Sequence, residues 1–250
     1  NVVVDYAGSI IDADNYNGSM EVSLSNVSTY SVEELGGLST HGYNSSGELS
    51  VSIDQCSFNY SWVGFMMDAD LIGSFTMTAT VFENIGMIIG SLVSPPAVID
   101  LEVAQGDVAI VLEDLQYDWV YAPIMVNVGN GSLDISMVNV RTNNTDLVAA
   151  FTATDYMGSG RIDLEILGCE FLNTFAGISA EADVIGSVTL EDTAVTWPSM
   201  VTGATLPLES GIAFLIVGDI YTNDTTVATF ENLTVEGYEI AFVVDVMGSL

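Results

Sequence analysis

Apolar and polar residues alternate with a period of two along most of the chain. Ile162, Leu164 and Ile166 alternate with Arg161, Asp163 and Glu165; Cys169 and Phe171 then follow after a two-residue step. Leu49, Val51, Ile53, Cys56 and Phe58 repeat that spacing. Met20, Val22, Leu24 and Val27, and Leu133, Ile135, Met137 and Val140, begin the same way. Alternation puts successive side chains on opposite faces, so each run predicts a strand with one face inward. The two-residue step predicts a corner where the chain enters a new sheet. A second apolar stretch closes each unit, as at 63–72, 147–157 and 238–247. No segment carries a helical period.

The units recur. Gly-Ser or Ser-Gly pairs at 18–19, 46–47, 73–74, 131–132, 159–160 and 186–187, and Gly106-Asp107, open runs of the same kind. A longer repeat overlies them: residues 18–78 align without gaps to 131–191 at an offset of 113, matching Cys56 with Cys169 and Asp70 with Asp183. Units of roughly 27 residues cannot bury their own inward faces, and stacking them buries a continuous apolar column. The predicted fold is therefore all-β: a right-handed parallel β-helix, a solenoid of about nine rungs in two four-rung halves. Residues 1–250 form one solenoid domain with an internal duplication, 18–130 and 131–250, expected to belong to a longer solenoid or filament. The stretches 46–65 (SGELSVSIDQCSFNYSWVGF) and 160–178 (GRIDLEILGCEFLNTFAGI) resemble the repeats of right-handed parallel β-helix proteins: pectate-lyase-like enzymes, phage tailspikes and bacterial surface proteins. The resemblance implies a fold and leaves function open.

Two features test the stacking. Cys56 and Cys169 occupy inward phases four units apart, too far for a bridge, and are predicted to be buried free thiols. The proline-bearing stretches 91–99 and 198–210 are predicted to leave the column as loops, because proline cannot donate to a ladder.

Composition narrows the partners. Thirty-four Asp and Glu face two Lys and Arg, both Arg, for a formal charge of −32. With only Arg141 and Arg161 to meet an anion, nucleic acid is excluded as a partner, and the absence of Lys excludes Schiff-base and P-loop chemistry. No apolar run reaches the roughly 18 residues of a transmembrane segment. Glycosylation sequons stand at Asn17, Asn26, Asn44, Asn59, Asn130, Asn143, Asn223 and Asn232, pointing to N-linked glycans and an extracellular or cell-surface location.

Aspartates three residues before a Gly, Asp5, Asp70, Asp155, Asp183 and Asp245, with Asp219 in a related place, would stack into an acidic ladder. Either each caps its own turn through backbone N–H groups, or Asp155, Asp183, Asp219 and Asp245 line up as a Ca²⁺ site. No cofactor is required by the sequence. Catalytic constellations are lacking. The β-helix hydrolases' motifs find only out-of-order fragments in Asn144-Thr145-Asp146, Thr40-His41-Gly42 and Arg161-Ile162-Asp163, and His41, the single His, reads as an exposed turn residue. The surplus of apolar residues predicts exposed outward positions such as Ala149, Phe151, Val243 and Met247, or their neighbours, and with them self-association, head-to-tail or within a longer array. The expected function is an acidic extracellular structural glycoprotein of a fibre, sheath or cell-surface layer, without enzymatic activity. The alternative is a polysaccharide-processing enzyme or carbohydrate-binding stalk, which clustered aromatics in a groove with a converging carboxylate pair would favour.

Overall fold

The computed structural model describes residues 2–16, 18–42, 46–85, 97–154, 158–196, 212–222, 226–238 and 240–248. The alternating runs all become strands. In chain order these are β1 (Val2–Asp5), β2 (Ser9–Asn15), β3 (Ser19–Ser25), β4 (Val27–Thr40), β5 (Glu48–Asp54), β6 (Ser57–Ala69), β7 (Leu71–Thr78), β8 (Val81–Ile85), β9 (Ile99–Val103), β10 (Val108–Glu113) and β11 (Gln116–Val120). Then follow β12 (Ile124–Val128), β13 (Ser132–Val138), β14 (Arg141–Ala153), β15 (Arg161–Leu167), β16 (Glu170–Ala182), β17 (Val184–Glu191), β18 (Ala194–Thr196), β19 (Ile212–Thr222), β20 (Val227–Glu231), β21 (Thr234–Glu236) and β22 (Ile240–Gly248). The protein is 77 % strand with no helix among the described residues, which makes it all-β.

The strands form two sheets with parallel ladders. One has eight strands in the order β20-β17-β15-β13-β10-β7-β5-β3; the other has fourteen, on a main path β1-β4-β6-β8-β11-β14-β16-β18-β21. Within the larger sheet β6 pairs with β8 through Ser57–Ser61 and with β9 through Phe65–Ala69. Strand β14 likewise pairs with β11 through its first half and with β12 through its second. Because β8 also pairs with β11 and β9 with β12, the six strands β6-β8-β11-β14-β12-β9 close on themselves.

This closed six-strand parallel barrel, with a second parallel sheet beside it, corrects the expected right-handed β-helix of nine equal rungs. The pairing interval is also uneven. Val108 pairs with Leu133, 25 residues on; Ser19 with Glu48, 29 on; Phe75 with Ile110, 35 on; and Ser187 with Val227, 40 on.

The physical reason lies in single residues with left-handed backbone. One series, Asn26, Gln55, Ala79, Asp114, Asn139, Gly168, Asp192 and Asn232, with φ between 46° and 61°, sits at the two-residue step and turns the chain from the smaller sheet into the larger. A second series falls inside or just past the strands of the larger sheet: Tyr6, Ser31, Tyr60, Asn84, Trp119, Asn144 and Asn173. Such a residue reverses the local handedness of the backbone. Strands β6 and β14 therefore bend in mid-course, at Tyr60 and Asn144, and each serves two sets of neighbours.

Inward residues from both sheets join one core, which includes Leu49, Val51, Ile53, Phe58, Leu133, Ile135, Ile162 and Phe171. Phe58, Phe82 and Tyr117 stack as a buried aromatic column, with centroids 5.2 Å and 5.0 Å apart. Cys56 and Cys169 are buried and free. Of the positions expected outside, Ala149 and Phe151 are buried, at 0 % and 1 % exposure, as part of the common core, whereas their neighbours Ala150 and Thr152, and Val243, are half-buried, and the side chain of Met247 lies outside the described set. The proline-bearing stretch 198–210 and most of 91–99 lie outside the described residues.

The Tyr117 hydroxyl is buried without a hydrogen-bond partner. Tyr117→Phe removes that desolvated group and keeps the ring stack, so it should raise unfolding free energy by about 1 kcal/mol in denaturant titration; a loss of stability would contradict this account.

Candidate functional site

The second left-handed series forms a surface. Its residues follow registered neighbours on adjacent strands: Asp5 pairs with Tyr30, Tyr30 with Asn59, Asn59 with Glu83, Glu83 with Asp118, Asp118 with Asn143 and Asn143 with Leu172. The left-handed column therefore reads Tyr6, Ser31, Tyr60, Asn84, Trp119, Asn144, Asn173 across β1, β4, β6, β8, β11, β14 and β16.

Asparagine suits this conformation; a bulky aromatic does not, and an L-residue there costs roughly 1–2 kcal/mol. Three of the seven positions nevertheless carry Tyr or Trp, and all three are exposed: Tyr6 at 78 %, Tyr60 at 49 % and Trp119 at 50 %. Strained residues of this kind cluster where surfaces bind.

Around them the aromatics gather. Tyr30 meets Tyr6 edge-on with centroids 6.4 Å apart and Tyr60 at 5.3 Å. Trp62, 65 % exposed, stands two residues beyond Tyr60. Tyr6, Tyr60 and Trp62 with Glu33, Ser31 and Asn84 line a cleft of about 460 Å³.

Polar groups interleave with the rings. Asn59 donates from Nδ2 to Glu83 Oε2 at 3.0 Å, and Asn84 donates to Asn59 Oδ1 at 3.3 Å. Asn143 and Asn144 both donate to Asp118 Oδ1, at 3.0 and 3.1 Å, and Asn173 donates to Asn143 Oδ1 at 2.9 Å. Glu83 and Asp118, directly opposed on β8 and β11, are thus each held by side-chain amides. A face of exposed rings beside fixed amide and carboxylate groups suits a ligand with apolar faces and hydroxyl edges.

The sequence-predicted sites fall elsewhere or are tied up. Asn26, Asn130 and Asn232 are exposed, with the Asn26 amide donating to Ser25 Oγ and the Asn232 amide to Asp192 Oδ1, both at 3.0 Å, whereas Asn59 and Asn143 are half-buried with their amides engaged as above. Asn17, Asn44 and Asn223 lie outside the described residues, as does Asp155. Asp183 accepts the Gly160 N–H at 2.9 Å, and its counterpart Asp70 accepts Gly47 N–H at 2.9 Å and Gly42 N–H. The backbone of Asp245 pairs with Val217, which pairs with Glu181, so Asp245 stands two residues out of register with Asp183; Asp183 and Asp219 each follow the last pair of their ladder, Ala182 with Gly218. The side chains of Asp219 and Asp245 lie outside the described set. Among the described residues no three His, Cys, Asp or Glu side chains gather as a metal site. His41 is partly exposed, with Nε2 3.4 Å from Asp68 and Nδ1 3.5 Å from Asp70.

The aromatic strip is not visible along the chain because Tyr6, Tyr60 and Trp119 sit 54 and 59 residues apart in outward phases. The available signal was an aromatic two residues after an inward Phe or Tyr, as in Phe58-Asn59-Tyr60 and Tyr117-Asp118-Trp119.

No protein-family model matches the chain, and neither a curated protein nor a solved structure matches it significantly. The resemblance to pectate-lyase-like repeats thus gains no support from them.

The carboxylates divide by environment. Hydrogen bonds from the Gly47 and Gly42 amides hold Asp70 below the usual carboxylate range. Burial pushes Asp163 up, but Arg161 and Ser187 outweigh it and hold it low. Burial raises Asp100 and Asp146; burial and the neighbouring charges of Asp163 and Glu165 raise Asp134.

A raised acid opposes folding at neutral pH, and the penalty lifts as pH falls towards its raised value. A depressed one stabilises at neutral pH and is lost as pH falls through its lowered value. Thermal stability should therefore rise from pH 7 to about 5 and fall below about 4, and added salt at pH 7 should raise it by screening the net charge. A monotonic decline from pH 7 in calorimetry would refute this. Asp70→Ala should cost about 2 kcal/mol at pH 7, and its deficit should close once wild-type Asp70 is protonated.

Proposed function

We propose that this protein is a non-catalytic extracellular surface component that holds an uncharged polysaccharide along the strip of Tyr6, Tyr30, Tyr60, Trp62 and Trp119. The observation that carries the reading is the cleft in which exposed rings stand beside Glu33, Ser31 and Asn84. Sugar rings present C–H faces to aromatic rings and hydroxyl edges to amides and carboxylates, so both kinds of group on this surface find partners. The net charge of −32 and the scarcity of cations favour neutral over acidic polymers. Glu83 and Asp118 are held by neutral amide donors, an arrangement suited to fixed acceptors for hydroxyl groups.

A structural role in a sheath or surface layer fits the same reading, with the strip anchoring a stiff all-β body to a glycan matrix. Asn26, Asn130 and Asn232 are the exposed described positions at which N-linked glycans are proposed. Self-association is a companion proposal, and sedimentation velocity showing only monomer at micromolar concentration would count against it.

Affinity electrophoresis through gels containing neutral cellulose derivatives, xylan or mixed-linkage glucan should retard the protein. Gels of polygalacturonate should not, and no reducing ends should be released. Equal mobility in all gels would overturn the proposal.

A further inference from the structure

Three positions of the left-handed column, on the first, third and fifth strands of its run, are aromatic: Tyr6 after β1, Tyr60 in β6 and Trp119 in β11. The strands between them carry Ser31 and Asn84. Neighbouring strands lie about 4.8 Å apart, so successive aromatics of the column recur about every 10 Å across the sheet. In an extended β-1,4-linked chain each sugar is flipped relative to the next, so alternate sugars present the same face, and two sugars advance by about that distance. A coiled α-1,4-linked chain has no such straight repeat.

Two further facts single out the column. Its aromatics occupy a backbone conformation that favours Asn, which fills the position at Asn84, Asn144 and Asn173. The core does not require them there, since Tyr6, Tyr60 and Trp119 are each about half exposed or more, and the ring that Tyr6 and Tyr60 meet, Tyr30, is itself exposed.

We propose that Tyr6, Tyr60 and Trp119 are three consecutive stacking subsites for one extended, neutral β-1,4-linked glycan running across the strands, each ring receiving every second sugar. This rests on the saccharide-binding reading above and adds to it a linkage, a direction and a length. From Tyr6 to Trp119 spans four strand intervals, about 19 Å, so five sugars fill the column. Glu83 and Asn84 stand on β8, the strand between the second and third rings, and Asn59 and Asp118 immediately precede Tyr60 and Trp119 on the flanking strands, so these groups meet hydroxyl edges.

The test pairs affinity with stability. Wild type and the variants Tyr6→Asn, Tyr60→Asn and Trp119→Asn are titrated calorimetrically with cello- and chito-oligosaccharides of two to seven sugars, and with malto-oligosaccharides as the α-linked control. Each is also melted without ligand. Affinity for one β-1,4 series should climb up to five sugars and level off, with the α-linked series weaker throughout. Each variant should lose about tenfold in affinity for the pentasaccharide, a loss of about 1.4 kcal/mol. Trp119→Asn should leave the trisaccharide nearly unaffected.

Because Asn relieves the left-handed strain, each variant should also melt about 2–4 °C higher than wild type. Binding without length dependence, or unchanged in the three variants, would overturn the spaced subsites and leave the broader saccharide reading standing. Lower melting temperatures in all three would overturn the strain argument by making the aromatics structural. Failure of every neutral glycan to bind, in solution and in the gels, would remove the saccharide reading and this one with it.

Discussion

Parallel, in-register pairing between residues two to four dozen apart is the constraint on which everything else in the molecule depends. A parallel ladder sets each residue beside a counterpart on the next strand with its side chain on the same face. Like therefore stacks on like. On the inward face this is favourable, since Leu49, Leu133 and Ile162 share one core and Phe58, Phe82 and Tyr117 stack face to face. On the outward face the same rule brings carboxylates together in a chain of net charge −32, and Asp134 stands directly opposite Asp163. The molecule answers in three ways: Arg161 clasps Asp163, side-chain amides hold Glu83 and Asp118, and backbone amides hold Asp70 and Asp183.

Much of the local structure is legible in the sequence, because alternation reports which face a side chain joins. Leu49, Val51, Ile53, Cys56 and Phe58 are all buried, as their spacing requires. The offset of 113 is legible in detail: Cys56 and Cys169 each donate a backbone N–H to a threonine, Thr80 and Thr193, and Asp70 and Asp183 each hold an equivalent glycine amide. The two-residue step is also real, and a left-handed residue occupies it.

The way the strands join is not legible. Alternation records a residue's face and says nothing of which neighbour each half of a long strand will choose. Tyr60 and Asn144, where β6 and β14 bend and divide their partners, have no residue type in common. Without that bend in view, equal stacked rungs were the simplest extrapolation, and the closed six-strand arrangement went unseen. Ala149 and Phe151 go against their expected face for the same reason, since the alternation in β14 is interrupted at the left-handed Asn144. The aromatic strip is not legible because, Tyr60 and Trp62 aside, its members lie in different segments, and only the ladder brings them side by side.

The two arginines carry a consequence beyond charge. Arg141 opens β14 and Arg161 opens β15, and each donates its backbone N–H to the carbonyl just before a neighbouring strand, Leu115 ahead of β11 and Gly131 ahead of β13. Proteases need their target as a loose extended segment, and cleavage follows local opening. With no lysine in the chain, trypsin-like enzymes have these two bonds alone to attack, and both are stitched into ladders. The folded protein is therefore built to persist among basic-specific proteases.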